Sequence, residues 1–185
     1  MENKKYLPLK IGHLILIVAG IALYVVTLFC FNQGSTALMK TSTVLNIVAL
    51  VAGFVYLSMG YKKNAAVYYK TFMWILVVAE IIENTAIFSM GTSSVSNTLE
   101  VILALVLFVL LAGAKDYGKT KSNIIAIALV AINVYAVISL FSMLDQFGAM
   151  AMGVMFDQIG QLILASTTAL MVCGKYIDKT ARGTK

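Results

Sequence analysis

A chain of 185 residues that is 61% apolar and 12% charged, with one proline and a mean hydropathy of +0.92, has too few polar side chains to cover a soluble domain of its size. It reads as an integral membrane protein of the all-α class, because hydrocarbon offers no partner to free backbone groups and the apolar runs are continuous over about 20 residues rather than short and alternating as in a β-barrel. The net charge of +6 is no nucleic-acid signature, since the basic residues fall in short clusters between apolar runs with no interleaved aromatic platform.

Six runs are long enough to span a bilayer, at about 11–31, 42–60, 70–90, 95–113, 122–143 and 149–174. The first follows Lys4, Lys5 and Lys10. Its apolar stretch is too long for a signal-peptide core, no small-x-small cleavage site follows it, and Phe29 before Cys30 is too large for lipoprotein-type processing. It is expected to remain as a span, with His13 near its start at the interface. The second run carries Asn46 and ends at Gly60-Tyr61-Lys62.

The third run contains "AEIIENTAIF", in which Glu80, Glu83 and Asn84 interrupt an apolar segment. Spacing of i, i+3, i+4 puts the three on one helical face, with Glu80 near mid-membrane. Glu100 stands early in the fourth run and reads equally as a site residue and as a solvated acid at a helix start, where the dipole favours it. Asn133 is central in the fifth. The sixth carries Asp157, Gln158 and Gln161, with 157 and 161 sharing a face. The small residues Gly148, Gly153, Gly160 and Ala165 mark a close-packing face, and the methionines of "FGAMAMGVMF" read as core. Tyr61, Tyr68, Tyr69, Tyr117 and Tyr176 flank the lysine clusters as interface anchors.

In a six-span chain every Lys and Arg except Lys40 falls on one side, which makes both termini cytoplasmic and the location the cell membrane. Connections are short, so residues 1–185 are expected to form a single membrane domain. Cys30 and Cys173 fall at opposite ends of their helices, a bilayer apart, and cannot pair. A repeat also shows. Gly60 and Gly113 close two spans 53 residues apart, and Phe88-Ser89-Met90 and Phe141-Ser142-Met143 close two others at the same interval. This suggests three antiparallel helix pairs, 1+2, 3+4 and 5+6, and the shift carries Glu80 onto Asn133. Such a plan resembles, in outline and without their motifs, bacterial urea channels and acetate transporters. The length and span count resemble the substrate-binding subunits of energy-coupling-factor vitamin transporters, although "IGHLILIVAGIALYVV" lacks their small-residue signature.

The spans hold acids but no Lys or Arg between their ends. A carboxylate facing lipid costs about 2.5–3.5 kcal/mol, so these acids are expected to face the bundle interior or a wet cavity. They would be protonated, hold a cation, or be solvated through an opening. The expected site is therefore Glu80, Glu83, Asn84, Glu100, Asn133, Asp157 and Gln161, with Glu80 at its centre. The sequence shows no nucleophile with a base, no metal-ligand motif and no cofactor motif, so an enzyme is not expected. The function expected is a small transporter or channel for a cation, a cationic solute or a proton-coupled solute. The alternatives are a substrate-binding subunit of a larger uptake complex, or a non-transporting immunity, assembly or sensory subunit. The partners expected are the lipid bilayer, a small solute or cation, and further copies or a membrane subunit, with no nucleic acid.

Overall fold

The computed structural model describes residues 7–30, 37–59, 65–89, 95–112 and 118–181. They form six helices: α1 (Leu7–Cys30), α2 (Ala37–Met59), α3 (Ala65–Ser89), α4 (Val95–Ala112), α5 (Gly118–Phe141) and α6 (Ala151–Ala181), with a 3-10 segment (Leu144–Met150) leading into α6. No strand occurs among the described residues. These stretches are rich in Leu, Ala, Ile and Val, and the one proline, Pro8, sits in the first turn of α1, where a missing N–H breaks no helical bond. In an apolar solvent the helix satisfies every backbone group locally, so even β-branched runs such as "IIAIALVAINVYAVI" are helical.

The element order matches the six runs of the sequence, with two informative shifts. First, α2 begins at Ala37, five residues before the expected start, which places Ser42 and Thr43 inside the helix rather than at its edge. Second, Gly148 does not belong to the sixth helix as a packing residue: its φ of 51° and ψ of −123° break the helical path before α6 begins. A residue with a side chain would be strained in that conformation.

Four helices are long and apolar enough to cross a membrane by length and composition, over Ile11–Cys30, Ala37–Tyr56, Gly118–Phe141 and Ala151–Val172. The expectation of six helices is thus met in number, and among the described residues four of them are apolar over a membrane-spanning length. In α4 the described apolar stretch is the shorter Ile102–Ala112. In α3 the run holds Lys70, Glu80 and Glu83.

Burial is inverted relative to a soluble bundle. Ile15, Val18, Phe29, Leu99, Ile124, Ile127 and Ile138 point outward, while Thr27, Ser42, Asn46, Glu80, Asn84, Asp157 and Gln161 are buried. A helix bundle that shows aliphatic side chains and hides polar ones is compatible with a membrane protein.

The helices pack in chain order, α1 on α2 through to α5 on α6, and α6 returns to α1 to close a ring, with a narrower contact between α2 and α6 across it. Glycines set the close approaches. A Cβ at Gly20 would stand 2.9 Å from Leu50 Cδ1 and 3.0 Å from Ile163 Cγ2, so α1 meets α2 and α6 there. A Cβ at Gly53 would stand 2.8 Å from Met171 Cε and 3.3 Å from Phe72 Cδ2, which draws α2 against α6 and α3. Gly20 opposite Ile163 and Tyr24 opposite Gly160 make α1 and α6 antiparallel. Ser42 beside Glu83 and Gly53 beside Phe72 do the same for α2 and α3. Ile17, Leu50, Phe72, Leu76, Phe108, Leu129, Leu164 and Met171 form one apolar core. Tyr69, expected as a lipid-interface anchor, turns inward: its ring lies 5.9 Å from that of Tyr56, and its hydroxyl donates to the Leu111 carbonyl at 3.4 Å.

Candidate functional site

The registers bring the late part of α1, the early part of α2, the late part of α3 and the early part of α6 to one level. The residues at that level are Tyr24, then Ser42, Thr43 and Asn46, then Glu80, Glu83 and Asn84, and finally Asp157 and Gln161. Each group recurs at helical spacing on one face, so each helix turns its polar stripe toward the others.

Glu83 is the hub. Gln161 Nε2 donates to Glu83 Oε2 at 2.7 Å, joining α6 to α3. The Ser42 hydroxyl lies 2.9 Å from the same oxygen and 3.2 Å from the Ala79 carbonyl, joining α2 to α3. A hydroxyl has one proton to give, and the carboxylate is the stronger acceptor. The Asp157 and Glu83 carboxyl groups also lie close enough together that a single proton could bridge them. The Thr43 hydroxyl, which donates to the Met39 carbonyl of its own helix at 2.9 Å, also stands beside the Asp157 carboxyl group. Glu80, one turn before Glu83, is buried and interacts with it as a like charge. Among the described residues, none of the groups acting on Glu80, Glu83 or Asp157 is basic.

Tyr24 forms the wall of the cluster on the α1 side. It is fully buried, and its hydroxyl lies in the field of Asp157, Glu83 and Glu80, with Asp157 the strongest. Its ring rests against Gly160: a Cβ there would stand 2.7 Å from Cζ and 2.8 Å from Cε1. The glycine between Asp157 and Gln161 is thus the seat of an aromatic ring.

The cluster is under-satisfied. The Tyr24 hydroxyl, both side-chain polar atoms of Asn46, Asn84 Nδ2, Asp157 Oδ1 and Gln161 Oε1 are buried without a hydrogen-bond partner among the described residues. Each such group costs about 1–3 kcal/mol, a burden that apolar residues in the same places would remove. Among the described residues no group of three or more His, Cys, Asp or Glu is arranged to hold a metal ion.

Of the seven residues expected from the sequence, five meet here: Glu80, Glu83, Asn84, Asp157 and Gln161. Two do not. Asn133 is buried on α5, and its Nδ2 donates to the Leu129 carbonyl of its own helix at 2.9 Å. Glu100 is half-buried on α4, and none of the cluster's carboxylates acts on it. The shift of 53 that carries Glu80 onto Asn133 therefore does not carry the site with it. The centre also moves, from Glu80 to Glu83. Sequence reasoning missed Tyr24, Ser42 and Thr43. The readable signal for the last two was their spacing with Asn46 once α2 is started at Ala37. Tyr24 had only the general demand of a phenol in an apolar run for a partner. His13, expected near the interface, is buried against its neighbours, and its Nε2 has no partner among the described residues. Eleven residues before Tyr24 on the same helix, it stands roughly 16 Å below the site.

No family model, curated protein or solved structure matches the chain.

Proposed function

We propose that the protein is a small membrane transporter or channel for a cation, a cationic solute or a proton-coupled solute, with Glu83, Asp157 and Glu80 as its ion-handling groups. The observation that supports this is the gathering of three carboxyl side chains inside the bundle with no basic partner among the described residues. A buried acid that serves only packing acquires a counter-ion or is replaced, so carboxyls held together across α3 and α6 call for a mobile positive charge. In this reading Asn84 and Gln161 line the same site, while Glu100 and Asn133 lie on the flank of the path. Both termini face the cytoplasm, the three helix pairs form the repeat unit, and the cluster sits in the outward half of the membrane. The protein works with further copies of itself or with a partner membrane subunit, without catalysis.

Flux into liposomes containing only this protein, over a pH series, tests the proposal. Glu83→Gln and Glu80→Gln are expected to abolish cation or proton flux and its pH dependence. Solute capture that weakens in the variants, with no flux by the parent protein, would instead mark a binding subunit of an uptake complex. Loss of co-purification with a membrane partner, again without flux, would mark an assembly or sensory subunit.

A further inference from the structure

The atoms of the site that lack a partner fall into two sets. Asp157 Oδ1, Gln161 Oε1 and Asn46 Oδ1 are acceptors, Asn46 Nδ2 and Asn84 Nδ2 are donors, and the Tyr24 hydroxyl can be either. The residues that carry them are at least nine-tenths buried, with exposures of 0% for Tyr24 and Asn46, 4% for Gln161 and 8% for Asn84 and Asp157.

Resting on the cation-handling reading above, we propose that the site takes a small primary ammonium compound with a hydrogen-bond acceptor a few bonds from its nitrogen, such as an amino alcohol. A primary ammonium group has three N–H donors and no acceptor, which matches three acceptors supplied by α2 and α6. Its charge meets carboxylates that no lysine or arginine contests. The two unpartnered amide N–H groups, Asn46 on α2 and Asn84 on α3, would donate to the oxygen of the ligand. The Tyr24 ring, held at the same level by Gly160, gives the cation an aromatic wall. A bare metal ion would use the acceptors but leave both amide donors unpaired, and no three acidic, His or Cys side chains among the described residues converge on such an ion. A quaternary ammonium has no N–H to give.

The test is binding to the full-length protein in detergent micelles, by calorimetry and thermal unfolding, with ethanolamine, tetramethylammonium, sodium and potassium as chlorides at equal ionic strength. Ethanolamine is expected to bind saturably and raise the unfolding temperature, and the other three to leave it unchanged. Asn46→Leu removes two unpartnered polar atoms, so it is expected to fold with stability equal to or above the parent, yet to weaken ethanolamine binding about tenfold or more. Tyr24→Phe keeps the ring on Gly160 and is expected to weaken binding by a smaller factor. Equal stabilisation by sodium, potassium or tetramethylammonium would overturn the proposal. So would ethanolamine binding that is indifferent to Asn46→Leu, or no ethanolamine binding. If cation flux sensitive to Glu83→Gln persists without ethanolamine binding, only the ligand class fails. If that flux is also absent, the functional reading fails with it.

Discussion

At the scale of single residues, the site depends on what is missing at position 160 as much as on what is present at 83. A methyl group at Gly160 would overlap the Tyr24 ring, which is enclosed and cannot retreat. Gly160→Ala should therefore destabilise the protein by about 1–3 kcal/mol. Gly53→Ala, where the nearest atom is the terminal methyl of Met171, should cost clearly less, because a methionine end re-packs. Thermal unfolding of both variants in the same detergent checks the order; equal losses would mean that the ring is not seated as described. Ser42→Ala and Gln161→Leu each take one hydrogen bond from a carboxylate, and each should cost about 1.5–3 kcal/mol in the same measurement. Glu80 and Glu83 were legible in the sequence because acids in the middle of an apolar run cannot reach water by a small shift of register, whereas Glu100, near a helix start, had a plainer reading. The fit of Tyr24 to Gly160 was not legible, because it joins residues on the first and last helices and local spacing carries no trace of it.

At the scale of helices, α3 stands out for carrying two acids one turn apart in an apolar run. Its acids give α2 and α6 something to bond, and they also weaken its own claim on the bilayer. Each acid placed centrally costs about 2.5–3.5 kcal/mol on insertion. Presented alone to the translocon between glycosylation acceptors, α3 should insert poorly and α5 almost completely, and Glu80→Leu with Glu83→Leu should bring α3 close to α5. Efficient insertion of unaltered α3 would show that its acids lie nearer the membrane surface than their packing implies. Helix number and order were readable because a run of about 20 apolar residues has few other fates. Helix ends were less so. The start of α2 lies in "ALMKTST", where Lys40 and three hydroxyl residues look like a loop, yet they are helical because Thr41 and Thr43 return their hydroxyl protons to the Ala37 and Met39 carbonyls at 2.9 Å. That misplaced boundary hid Ser42 and Thr43 from the site.

At the scale of the whole molecule, the charge asymmetry and the ring make a joint prediction about sidedness. Cys30, a free thiol on the last residue of α1, should be modified by a membrane-impermeant reagent from the face opposite the termini, in a Cys173→Ser background on intact cells. Labelling only after lysis would invert the proposed orientation. The ring is completed by the meeting of α1 and α6 rather than by any sequential pair, and the Glu83–Gln161 bond spans 78 positions of sequence. During synthesis, α3 therefore leaves the ribosome long before its bonding partner on α6 exists, and in that interval Ser42 alone among the two is available to Glu83. A nascent chain stalled after α5 therefore holds an acidic face that α2 covers in part and that only the arrival of α6 can close.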